Sequence, residues 1–412
     1  FGMQRLNYGD FTGGDLTIAR RAGTLEAFPA FAGVEAIVPI SIAGYPGLSQ
    51  GLAYYGPQYV TSWIADASKT AGKHTVEFGG SIQRTTFKTN NQTGIQEQFT
   101  ANQTSNFTPG SGFGLASFML GLPESAGRVI GETEGDMFGN TYSLYAEDNW
   151  RISSRLTLNL GVRYDYASPM INRKGSGTFF YETGQYVWSM KNPITGEEAN
   201  ISRGVIPPDR NNFQPRFGIA YQINPSTVVR TSYGIFFDTF GINYAQTQQG
   251  NRGNWPFAFP QTVSGLNSST PNAFLPNPFP TAAAGSTTPL GCQQCLNAWQ
   301  DTPRTPYVQQ WTFSLQRQIT PSLKAEAIYF GSHGVKISSQ LIDNTALVPG
   351  PGAIAARQKN PNFPAYVLNG YNSYHSNYNG LSVLPQRRFA AGLSFSFNYT
   401  WSKSINFVDE LS

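Results

Sequence analysis

Apolar and polar side chains alternate one by one along several segments of the chain, the period at which successive residues of a strand face opposite sides. In 156–166, Leu156, Leu158, Leu160, Val162, Tyr164 and Tyr166 fall on one face, and Thr157, Asn159, Gly161, Arg163 and Asp165 on the other. In 392–402, Leu393, Phe395, Phe397, Tyr399 and Trp401 alternate with Ser394, Ser396, Asn398, Thr400 and Ser402. In 213–223, Phe213, Phe217, Ile219, Tyr221 and Ile223 stand opposite Gln214, Arg216, Gly218, Ala220 and Gln222. Segments 228–237, 142–150, 74–83 and 311–318 follow the same scheme less strictly. Helical periodicity is almost absent, which predicts an all-β, antiparallel fold. Residues 111–122, with Phe113, Leu115, Phe118, Met119 and Leu120, suit either a short helix or a strand.

Alternation alone also fits a soluble sandwich, so strand length and connections have to separate the two. A strand of about 11 residues, rising roughly 3.3 Å per residue and tilted near 45°, covers about 25 Å, the height of the apolar band of an outer-membrane barrel. Trp150, Tyr164, Tyr166, Tyr399 and Trp401 lie at strand ends, where an interfacial girdle belongs. A slip of one residue in 156–166 would turn Arg163 and Asp165 toward lipid, and a basic residue at the midplane costs about 2–4 kcal/mol, so the pattern fixes the outward face. Tight polar turns are predicted at 68–73, 152–155, 224–227, 319–322 and 389–391. Long Gly-, Pro-, Asn- and Ser-rich stretches separate the hairpins near 89–140, 167–212, 238–306 and 333–374. Loops this long are uncommon in compact soluble domains, whereas short periplasmic turns and long extracellular loops are the asymmetry of a transmembrane β-barrel. The resulting plan is a partial strand and long extracellular loop in 1–57, barrel strands and loops in 58–404, and the start of a further loop in 405–412. Hairpins are placed near 58–88, 141–166, 213–237, 307–331 and 376–402.

Composition sharpens this picture. Charged residues make up only 13% of the 412 residues and aromatics reach 14%. That argues against disorder and suits a structure with one apolar face and one neutral polar face. No stretch approaches the roughly 18 uncharged apolar residues of a spanning helix. The net charge of +4 is spread without a basic block, so nucleic-acid binding has no support. The chain opens at Phe1 with no initiator Met or leader, so either a signal peptide is missing or, the favoured reading, this is an internal fragment of a longer protein.

The run Tyr142-Ser-Leu-Tyr145-Ala-Glu147-Asp148-Asn149-Trp150-Arg151, continued by Leu156-Thr-Leu-Asn-Leu-Gly161-Val-Arg163-Tyr164-Asp165, resembles a hairpin of TonB-dependent receptors, and the Oar-like group of Acidobacteria fits best. Gly72-Lys73-His74-Thr75-Val76-Glu77-Phe78-Gly79 and Pro215-Arg216-Phe217-Gly218-Ile219-Ala220-Tyr221 resemble that group too. So do the runs from Gln310 to Arg317, from Tyr378 to Leu381 and from Tyr399 to Ser404, all in family order. The resemblance implies a complete barrel of 22 strands closed by an N-terminal plug and energised through TonB. This chain would supply about ten of those strands, with plug, TonB box and closing strands unmatched in it. Pro385 departs from the pattern where an unbroken strand is expected, since proline cannot donate to a ladder.

Candidate chemistry is sparse. Gly47-Leu48-Ser49-Gln50-Gly51 has the spelling of a nucleophile elbow, yet Pro46 precedes it and Gly56-Pro57 would stop the required helix, so it reads as a surface loop and no enzyme is expected. Cys292 and Cys295 lack the further ligands of a zinc site and the βαβ context of a redox pair. A local disulfide in an extracellular loop is the favoured reading. His74, His333 and His375 have no metal-site spacing, and no cofactor is expected. Glu147, Arg163, Arg216, Arg230, Lys324 and Glu326 project to the polar, lumen-facing side. There they pair with neighbouring strands or the plug, or, less favoured, meet substrate. Recognition is better placed in aromatic loop residues such as Trp255, Phe257 and Phe259. The leading expectation is outer-membrane uptake of a large or scarce solute such as a glycan, peptide or metal chelate, with lipid, a plug and TonB as partners. A passive porin or a surface adhesin on the same barrel, and a soluble secreted β protein, are the competing readings.

Overall fold

The computed structural model describes residues 2–8, 39–47, 56–90, 96–106, 108, 110–131, 134–202, 204–239, 256–264, 278–279, 297–361 and 366–406. Its main sheet contains β1 (Gly2–Tyr8), β2 (Gly56–Ala71), β3 (His74–Asn90), β4 (Glu134–Arg151), β5 (Leu156–Ala167), β6 (Phe213–Asn224), β7 (Thr227–Phe237), β8 (Tyr307–Gln318), β9 (Leu323–Asp343), β10 (Tyr366–Ala390), β11 (Leu393–Ser396) and β12 (Tyr399–Asn406). From β1 to β10 each strand pairs antiparallel with the next in chain order, and β11 and β12 both pair with β10. Short turns enforce this order at one rim. One of them joins β10 to β11 through Ala391 (φ 50°) and Gly392 (φ 76°), two consecutive left-handed residues that match the twist of a two-residue hairpin.

Which way the faces point separates a membrane sheet from a soluble one. Opposed residues of a ladder share a face, so the register carries one apolar surface across the sheet. Ala146 is opposite Val162, Phe217 opposite Leu160, and Phe313 opposite Thr231. That surface is outward and open: Leu144 is 65% exposed, Leu160 45%, Phe313 49% and Phe397 57%. On the reverse face Asp165, Gln214 and Ser314 are buried. A water-soluble sandwich would invert this arrangement, because burying apolar rather than polar area stabilises it. Among the described residues the largest buried apolar side chains, Phe99, Phe179, Met137, Met170 and Trp299, lie in the connections or at the outer strand ends instead.

The long connections carry structure of their own. Strands Ile40–Ile42, Gln96–Phe99, Ser125–Gly131 and Ala258–Ser264 form a separate four-stranded sheet. Beside it lies α1 (Gly114–Met119), whose Phe118 meets Phe99 edge-on at 5.2 Å. The ambiguous stretch 111–122 is therefore a helix at its centre. Gly114 is required there, since a Cβ would come within 2.9 Å of the Ala43 carbonyl oxygen. A second cluster gathers Phe180, Val187, Val205, Ile206 and Trp299 into a small core. Its strand Asn297–Trp299 runs parallel to the start of β10.

Two features differ from the periodicity. β4, β9 and β10 extend well past the alternating segments, because ladder hydrogen bonds form whatever the side chain. The segment 392–402, expected as one strand, breaks at Phe397 and Asn398. Pro385 explains the break: its carbonyl accepts from Phe397 N (3.1 Å), so its missing N–H also faces this strand, while pairing of β10 with Ala325 of β9 is untouched.

Candidate functional site

The polar face is assembled from strands far apart in sequence, and its rows follow from register. Glu77 lies opposite Glu147, Glu147 opposite Gly161, Gly161 opposite Arg216, and Arg216 opposite Gly234. One row along, Asp66 is opposite Gly79, Gly79 opposite Tyr145, Tyr145 opposite Arg163, and Arg163 opposite Gln214. Gly79 is needed for this second row, because a Cβ there would overlap Asp66 and the Tyr145 ring, which are joined by a Tyr145 hydroxyl donating to Asp66 at 2.8 Å.

The six charged residues singled out from the sequence all fall on this face, but not in one cluster. Arg163 donates to Asp165 two residues along its own strand (2.9 Å), and Gln214 donates to the same carboxylate. Arg230 donates to Gln316 (2.9 Å), and Glu326 accepts from Ser314 (2.6 Å). These contacts rigidify the wall and use up the charge locally. Lys324 stands between Gln318 and Gln386, near the short-turn rim. Glu147 and Arg216 have no ion-pair partner among the described residues. Arg216 instead stacks its guanidinium 4.6 Å from the centre of the Phe236 ring, which folds back over Gly234.

Between Glu147 and Arg216 the face is hollow. A recess of about 330 Å³ is lined by these two side chains, Asn159, Gly161, Gly218 and Gly234, among others. Sequence reading did not single out Asn159, which lines the recess, nor Glu77, Asp66 and Tyr145, which stand in the adjoining rows of the polar face. Alternation places them on the polar face, but only register shows that Glu77 and Glu147, 70 positions apart, are neighbours.

Of the loop residues expected to recognise ligand, Phe257 is half-buried, with its ring against Gly175. Phe259 belongs to the strand Ala258–Ser264, opposite Ile130. Trp255, Cys292 and Cys295 lie outside the described residues, as do Leu48, Ser49 and Gln50.

The sequence matches the model of the outer membrane beta barrel domain over residues 1–411. The chain belongs to that family. The family is one of bacterial outer-membrane barrels rather than of enzymes, so the exposed apolar face of the sheet is its lipid face, and the match is to the barrel domain as a whole rather than to the Oar-like group. No curated protein matches. Solved structures similar to the chain include the outer membrane transporter YddB from Escherichia coli (15% identity, TM-score 0.46, covering 89% of this chain and 37% of that one). Another is the ferripyoverdine receptor of Pseudomonas aeruginosa bound to ferripyoverdine (12%, 0.40, 86% and 34%). A third is the ferric yersiniabactin uptake receptor FyuA from Yersinia pestis (13%, 0.39, 88% and 38%). The chain thus spans little more than a third of the length of these proteins.

Proposed function

We propose that the complete protein is an outer-membrane transporter that takes up a large or scarce solute, such as a glycan, peptide or metal chelate, along the polar face of this sheet. The observation that carries the reading is the inverted sheet: apolar side chains outward, and a wall of Glu147, Arg163, Arg216 and Arg230 inward. The resemblance of the 142–165 hairpin to TonB-dependent receptors supports a plug that closes the barrel and energy supplied through TonB. The outer loops support selectivity, with Trp255, Phe257 and Phe259 offering aromatic contacts and a Cys292–Cys295 disulfide restraining the segment between β7 and β8.

Liposome swelling with the full-length protein tests this against a passive pore. A plugged, energy-dependent transporter leaves the vesicles unswollen in arabinose or stachyose. Swelling that rises with protein content would instead identify an open porin.

A further inference from the structure

The recess between β4 and β7 contains polar atoms that the fold leaves unused. Asn159 Oδ1, an acceptor, and Arg216 Nε, a donor, are both shielded from solvent and make no hydrogen bond among the described residues. Buried polar groups are nearly always satisfied, and an unsatisfied pair on neighbouring strands along one hollow calls for a physical reason. The charges repeat the pattern. Glu77 and Glu147 stand directly opposite each other, an arrangement that like-charge repulsion disfavours unless a cation lies between or beside them. Arg216 sits two strands from Glu147, at about 10 Å by strand spacing, too far for the backbone to force them together. Gly161 sits between them, and Gly218 and Gly234 adjoin Arg216, so the side chains over this floor are those of Glu147, Asn159, Arg216 and Phe236 reaching in from its edges.

We propose that this recess is a binding site for a bipolar group, with a cationic end held by Glu147 and Asn159 Oδ1, the Glu77 charge adding to the field from the next strand, and an anionic end held by Arg216. The volume suits a fragment the size of an amino acid or short peptide rather than a whole siderophore. The Phe236 ring, itself part of the lining, stacks against the guanidinium at 4.6 Å. The proposal rests on the transport reading, in which this face is the path of the solute. The same chemistry has two sources: a free zwitterionic solute, or paired acidic and basic side chains of a protein segment packed against the wall.

The test uses the full-length protein in detergent micelles. The probes are glycine, diglycine and triglycine, each beside its N-acetylated and C-amidated forms, which carry one charge. If the source is a free solute, at least one zwitterion binds about tenfold more tightly than its singly charged forms. E147Q and R216Q then each weaken it about tenfold, and the melting temperature is unchanged. If the source is a protein segment, the probes fail to bind, but E147Q and R216Q each lower the melting temperature by several degrees, and the double charge reversal E147R/R216E does not recover it. Wild-type melting in both single variants together with absence of zwitterion binding overturns the proposal. Uptake that persists in such variants would leave the transport reading standing, whereas liposome swelling would remove that reading without deciding this site.

Discussion

Glu97 shows how much a single residue can hide in a polar sequence. Its side chain is fully buried in the loop sheet, and neither carboxylate oxygen has a hydrogen-bond partner among the described residues. Burial alone raises its pKa from 4.5 to about 7. The one charged group on the same face of the adjoining strand, Arg128, is engaged by Gln261 at 2.7 Å and by the Phe279 ring at 4.1 Å. The folded loop sheet therefore favours the neutral acid. Its contribution to stability is complete below about pH 4.5 and is lost as pH rises through about 7. A displacement of this size corresponds to on the order of 3 kcal/mol. Amide exchange in Gln96–Phe99 and Ser125–Gly131, corrected for intrinsic rates, should accelerate markedly between pH 5.5 and 8.5, and Glu97→Gln should flatten that dependence. An unchanged profile in the variant would show that Glu97 stays ionised and solvated.

Among the elements, β10 illustrates how a defect is displaced rather than absorbed. Proline ordinarily avoids central strands, yet Pro385 sits inside the longest strand of the sheet and interrupts only the strand on one side of it. Pro385→Ala restores one N–H aimed at β11 and β12. It should add a protected amide at position 385 and about 0.5–1.5 kcal/mol of stability, the usual net worth of a hydrogen bond. Exchange at that amide as fast as in a free peptide would mean that the gap at Phe397 and Asn398 has another cause. The turn at Ala391 and Gly392 is the complementary case, since two left-handed residues in a row fix β11 onto β10 through backbone geometry alone.

For the molecule as a whole, the sidedness of the sheet decides which substitutions are tolerated. Leu144 lies across Gly80 on the lipid face, and Ser81 lies one residue away on the polar face, opposite Ser143. Leu144→Arg should cost about 2–4 kcal/mol in the unfolding of the full-length protein from bilayers, the cost of a basic side chain near the midplane. Ser81→Arg should stay within about 1 kcal/mol, because the wall it joins is wet and already holds Asp66 and Glu77. Equal costs at the two sites would sink the assignment of faces.

The segment-level facts were local and therefore legible. A side-chain period of two is set by adjacent peptide units, so 156–166 and 213–223 declare their own lipid faces, and short polar turns declare which strands are neighbours. Even the effect of Pro385 could be anticipated from its missing donor, though not which of its two neighbours would break. Relations across the sheet were not legible. That Glu77 meets Glu147, or that Gly161 opens a gap between Glu147 and Arg216, depends on register accumulated over turns and bulges. Four distant loop pieces join around Glu97 only because the barrel strands bring their ends to the same rim. Alternation told each strand which way to face; only the assembled sheet could decide which residues would face one another.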